Sequence, residues 1–140
     1  MCNYELCSCT IYCALFFINL YIMSKLKEII QKKIERENLL MSAMESIKMQ
    51  LAEMGALKII LFGSLAEGNV DIHSDLDLLV IMPSEKSGKE WMDIIYDKVK
   101  RGVAADIIAY NKDEIEEKLP SSSFLRQALN SGRVIYEKAL

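Results

Sequence analysis

The sequence predicts an α/β (α+β) fold, a small mixed sheet with helices packed on it, preceded by a long N-terminal helix. Three observations predict it. Residues 24–54 contain no Pro or Gly and repeat apolar residues at helical spacing. Four short runs rich in strand formers follow, at 57–62, 76–82, 103–109 and 133–137. Helical patterns separate the later runs, an alternation that layers helices on a sheet. A chain of 140 residues, 51% hydrophobic and 26% charged, has the size and composition of one globular domain.

Taken in order, Leu26, Ile30 and Ile34 form one apolar stripe, and Leu40, Met44, Ile47, Leu51 and Met54 form a second. Ser24 is a plausible N-cap. One helix or two fits this stretch, and Glu35-Arg36-Glu37-Asn38 is where a break is expected. The second stripe is predicted to pack on the sheet. The first is spare surface, suited to a homo-oligomer or a partner contact. Gly55 ends the helix, 57–62 is a buried strand, Gly63 opens a loop, and 76–82 is a second strand closed by Pro83. Residues 89–100 carry helical spacing through Trp91, Ile94, Ile95 and Val99, on which Trp91 and Tyr96 read as core or flank. Residues 103–109 are the third strand. Two short helices, at 112–119 and 124–129, lead to the last strand at 133–137. The expected order is α-β-(α)-β-α-β-α-α-β.

The first 22 residues stand apart. All four cysteines (Cys2, Cys7, Cys9, Cys13) fall there, so no disulfide can staple the body, and their spacing is poor for zinc. The apolar run 11–23 is short for a membrane span, and residues 1–10 lack the basic start of a signal peptide. A start of translation at Met23 is the favoured reading, leaving a cysteine-free body suited to a reducing cytoplasm. The rival is a hydrophobic helix that docks on a partner or a membrane surface. The expected organisation is therefore a hydrophobic segment 1–22, an extra helix 23–38, and a domain over 39–140.

A net charge of −3 argues against gripping long nucleic acid, which needs a basic face. A nucleotide chelated to cations remains compatible. Asp75 and Asp77, two residues apart at the start of a strand, point the same way about 6–7 Å apart. Two carboxylates side by side near a buried strand repel, and a divalent cation such as Mg²⁺ removes that cost. Asp106 interrupts an otherwise apolar strand, and acids in buried strands need a partner. If the two strands are neighbours, Asp106 completes a three-carboxylate cluster able to hold two cations. Gly63-Ser64, directly after a strand, lets backbone approach a phosphate and adds a hydroxyl donor. His73 is the only histidine and reads as a solvated loop residue.

Read together, residues 61–80 (LFGSLAEGNVDIHSDLDLLV) carry Gly-Ser-x-Ala-x-Gly, a short spacer, then Ser-Asp-x-Asp-Leu-x-Val. This string resembles the nucleotidyltransferase superfamily that shares the DNA polymerase β-like palm. It is similar above all to the minimal nucleotidyltransferases (MNT), single small domains that often travel with a HEPN-domain partner as a toxin–antitoxin pair. The resemblance runs from about Leu39 to Tyr136. It implies that Gly63 and Ser64, with Ser74 of the second motif beside them, bind the nucleotide. Asp75, Asp77 and Asp106 would be the catalytic carboxylates and the ligands of two Mg²⁺ ions. It further implies transfer of AMP from ATP to a tyrosine of the HEPN RNase toxin. One position departs, because the family often has Arg before the second motif glycine and Glu67 stands here.

Three functions stay open on the sequence: an active protein nucleotidyltransferase, a binder that neutralises its partner by occlusion, and a nucleotidyltransferase acting on a small molecule such as an antibiotic. Glu67 speaks for the second, and the short chain against the third. For the N-terminus, deleting residues 1–22 is expected to leave a folded, active protein, measured by soluble yield and circular dichroism. Loss of soluble protein on that deletion overturns the start-site reading.

Overall fold

The structure is a computed structural model and describes residues 3–139, with side chains from Thr10 onward. In chain order the elements are α1 (Asn3–Glu53), β1 (Lys58–Phe62), α2 (Gly63–Glu67), β2 (Leu76–Met82), α3 (Gly88–Lys98), β3 (Ala105–Asn111), α4 (Lys112–Lys118), α5 (Ser123–Ser131) and β4 (Arg133–Glu137). This is the order the sequence predicts. Two compact units divide the chain, one ending at Glu35 and the other beginning at Arg36.

The first unit is helical throughout its described residues, and its large apolar side chains are exposed, Phe17 at 68% and Ile30 at 56% among them. Lys25 and Lys32 pair with Glu28 one turn away, and Gln31 donates to Glu35 at 3.1 Å. Such surface pairs add only tenths of a kcal/mol each. No helix among the described residues is long and apolar enough to cross a membrane. Cys2 and the side chains of Cys7 and Cys9 lie outside the described residues. Cys13 is an exposed free thiol.

Two expectations about α1 are corrected. Ser24 lies inside the helix rather than capping it, and residues 35–38 do not break it. Polar residues lower helix propensity by tenths of a kcal/mol, whereas Gly or Pro is needed to end a helix sharply, and the first such residue after Ser24 is Gly55.

In the second unit, four strands form one sheet in the order β3-β2-β1-β4. β1 pairs antiparallel with β2 and β4, and β2 pairs parallel with β3. The parallel pair needs a crossover, which α3 supplies. α3 begins with a capping box in which Ser87 and Glu90 bond each other's backbone, a device worth about 1 kcal/mol. β3 starts later and runs further than the sequence suggests, from Ala105 to Asn111. Its limits are set by the partner strand, since the ladder runs from Leu76 opposite Ala105 to Met82 opposite Asn111. Asn111 then caps α4 through the Glu114 amide.

Side-chain alternation sorts the sheet into two faces. On one, Ile59, Leu61, Leu78, Val80, Ile107 and Ala109 meet the second stripe of α1 (Leu40, Met44, Ile47, Leu51) together with Trp91 and Ile95 of α3. Trp91 is core as expected, and its indole N–H donates to the Pro83 carbonyl at 2.9 Å. On the other face, Ile60 and Leu79 are covered by Ile115 of α4 and by Leu125 and Ala128 of α5, flanked by Phe62, Ile81, Ile108 and Tyr110. The α5-to-β4 turn is tight enough to require Gly132, where a Cβ would fall 2.2 Å from the Ala128 carbonyl oxygen and 2.5 Å from Ile60 Cγ2.

This packing separates the two stripes of α1 energetically. Leu51→Ala, at a fully buried site, is expected to cost about 2–5 kcal/mol. Ile30→Ala, on the exposed stripe, is expected to change stability by no more than about 0.5 kcal/mol. Urea unfolding midpoints of the two variants check the contrast.

Candidate active site

Asp77 of the second motif and Asp106 of β3 share the α5 face. Phe62 lies opposite Asp77 in the β1–β2 ladder, and Asp77 lies opposite Asp106 in the β2–β3 ladder. Directly opposed residues project to the same face, with strands about 4.8 Å apart. Phe62, Asp77 and Asp106 therefore form one row across three strands, at the end of the sheet where β1 stops and β2 begins. The neighbouring strands that the sequence required for Asp106 to join the pair are present.

Asp75 stands just before β2 and is exposed, as is Asp106, while Asp77 is half-buried. Burial pushes the Asp77 carboxyl above the usual aspartate range, and the negative charges of Asp106 and Asp75 push it further the same way. Asp77 thus feels the charge of both other carboxylates. Among the described residues, no group of three or more His, Cys, Asp or Glu side chains is arranged to hold a metal ion. The Asp75 carboxylate instead pairs with the Arg36 guanidinium at 3.5 Å. The donor set itself suits a hard divalent cation: it offers only carboxylate oxygens, and its half-buried member suffers the like-charge repulsion that a cation relieves.

Gly63 is tied to this row by contact. Its φ of 76° lies in the left-handed region, and a Cβ there would come within 2.2 Å of Asp77 Oδ2. Only glycine combines that conformation with that approach. The backbone at the start of the first motif therefore touches the central acid of the second. Ser64 follows in the five-residue helix α2, and Glu67 closes that helix with an exposed side chain.

Ser74 is committed to the turn before β2. Its hydroxyl accepts from the Asp71 amide at 2.8 Å, its amide donates to the Asp71 carbonyl at 3.2 Å, and its carbonyl accepts from Arg36 Nε at 2.9 Å. His73 is exposed in the same turn, where its amide donates to the Asp71 carboxylate. Arg36 is the residue that sequence reasoning missed. From α1 it clamps both the Ser74 carbonyl and the Asp75 carboxylate. Read along the chain, it was one polar residue in a suspected helix break, and nothing local linked it to a turn 38 residues away.

A group whose folded-state proton affinity is raised takes up protons more readily folded than unfolded, so ionising Asp77 erodes stability as pH rises through its folded value. Asp77→Asn is therefore expected to raise the urea midpoint at neutral pH in the presence of EDTA. The gain should vanish below about pH 3.9, where the unfolded carboxylate is itself protonated. Mg²⁺ should stabilise the wild type and not the variant. Equal midpoints for the two proteins at neutral pH would contradict the like-charge reading.

Residues 44–135 match the family model of the nucleotidyltransferase domain. A protein of Methanocaldococcus jannaschii named "Putative protein adenylyltransferase" is 34% identical over 84 residues, which are 56% of this chain and 77% of that protein. A crystal structure of a "putative nucleotidyltransferase" from Sulfolobus solfataricus superposes with a TM-score of 0.47 at 16% identity, over 79% of this chain and 87% of that one. With its two motifs meeting at Gly63 and Asp77, the chain belongs to the nucleotidyltransferase domain family and is a nucleotidyltransferase.

Proposed function

We propose that the chain is a protein adenylyltransferase that moves AMP from ATP to a tyrosine of a HEPN-domain RNase toxin, and so acts as its antitoxin. The observation that carries the catalytic part is the Phe62-Asp77-Asp106 row with Gly63 against Asp77, which puts a phosphate-approach glycine beside a repelled cluster of carboxylates. The adenylyl donor and the protein acceptor are supported by the name of the archaeal relative, which matches over 77% of its length. The HEPN partner and the antitoxin role rest on the resemblance to minimal nucleotidyltransferases.

In this reading Gly63 and Ser64 hold the triphosphate, with Ser74 fixing the turn that presents Asp75. Asp75, Asp77 and Asp106 would hold two Mg²⁺ ions, which would supply the positive charge that a net −3 chain lacks and offset that of the leaving pyrophosphate. The acceptor hydroxyl oxygen forms a bond to the α-phosphorus, and the bond from that phosphorus to the β-bridging oxygen breaks. Asp106, at the exposed end of the row, takes the hydroxyl proton. Arg36 keeps Asp75 oriented through the Ser74 carbonyl.

The test incubates the protein with α-labelled ATP, Mg²⁺ and the product of the neighbouring gene, beside Asp75→Ala and Asp77→Ala. Label is expected on the partner with wild type, reduced by at least about 100-fold in both variants. Neutralisation of the partner by wild type and variants alike, with no label incorporated, would establish occlusion in place of transfer.

A further inference from the structure

A cavity of about 180 Å³ opens directly beside Gly63, on the face that carries Asp77 and Asp106. Its lining is Phe62, Gly63, Glu67, Phe124, Gln127 and Ser131, with Ala128 behind. Phe62 and Phe124 meet edge to face, ring centroids 5.6 Å apart and planes at 78°. Phe62 is also the third member of the row that holds Asp77 and Asp106. The cavity is thus walled on one side by the phosphate-approach glycine and on another by Phe62, the residue opposite Asp77 in the ladder.

We infer that this cavity seats the base of the donor nucleoside triphosphate, resting on the proposed nucleotidyl transfer. Size supports one planar ring system: pockets that enclose a whole drug-sized ligand run from roughly 300 Å³ upward, and this one is smaller. Chemistry supports it as well, because aromatic faces stack on any base, while the carboxylate of Glu67, the amide of Gln127 and the hydroxyl of Ser131 can meet its polar edge. Connectivity supports it most directly. A nucleotide whose phosphates lie at Gly63 has its base within reach of a cavity that Gly63 itself lines. The more apolar cavity of about 320 Å³ bounded by Leu57, Ile81, Ile115 and Glu137 shares no residue with Gly63 or the acids and lies at the opposite end of β1.

This placement also gives Glu67 a use. The acid that replaces the family's frequent arginine lines the cavity, where a carboxylate accepts from the N–H groups of a base. Its charge then serves base selection and need not face the triphosphate.

The test is calorimetric binding, in Mg²⁺, of a non-hydrolysable ATP analogue and of inorganic tripolyphosphate, to wild type, Phe124→Ala and Phe124→Tyr. Phe124 is 39% exposed, so its truncation should leave the fold intact, and circular dichroism checks this. Phe124→Ala is expected to weaken the nucleotide by about ten-fold, leave tripolyphosphate unchanged, and be rescued by the ring of Phe124→Tyr. Unchanged nucleotide affinity in Phe124→Ala, or equal losses for both ligands, overturns the base pocket alone. A wild type that binds neither ligand overturns nucleotidyl transfer and the pocket with it. Unchanged nucleotide affinity together with a raised KM for the acceptor protein would assign the cavity to the acceptor's ring instead.

Discussion

Asp77 is held where an ionised carboxylate is disfavoured: half inside a sheet, beside the charge of Asp106 on one strand and near that of Asp75 at its own strand's start. Almost everything else in the second unit can be read as the means of keeping it there. The hydrophobic side chains that flank it along β2, Leu76, Leu78, Leu79 and Val80, are fully buried, so the strand cannot shift to relieve the repulsion without exposing them. Burial of these side chains thus opposes any shift of the strand away from the crowded carboxylates.

The scaffold divides this labour between its faces. The α1 and α3 side is a closed core, with fully buried side chains from both helices and three strands. The α4 and α5 side covers its face less fully: Phe124 of α5 packs on Phe62, while Asp77 stays half-buried and Asp106 exposed. Chemistry therefore sits at the margin of the less covered face, backed by the larger buried core. Arg36 links the two sides, since it belongs to the helix that closes the core and grips the turn that carries Asp75.

The element order and the two motifs were legible in the sequence because each depends on short-range pattern: apolar spacing, glycine punctuation, and acids interrupting strand-forming runs. Asp106 could be nominated as an anomaly in a hydrophobic strand, but its register opposite Asp77 is a property of parallel pairing across a crossover. The limits of β3 were missed for the same reason, since they are inherited from β2. The continuity of α1 through residues 35–38 was misjudged because polar composition was weighed as if it were a helix terminator. Arg36 and the Phe62–Phe124 pair were invisible, both being contacts between residues far apart in the chain with no local signature.

The contact between Gly63 and Asp77 makes two distant positions a single unit of variation. Any side chain at 63 meets two obstacles, the left-handed backbone and the space held by Asp77 Oδ2, and only the second would be lifted by losing the carboxylate at 77. A chain that has lost the central acid has lost one of the two reasons for the bare glycine. A descendant that abandons the chemistry is therefore freer to drift at both positions, while one that keeps it can drift at neither. The pair 63 and 77 is thus a compact mark by which a working copy of this domain can be told from a retired one.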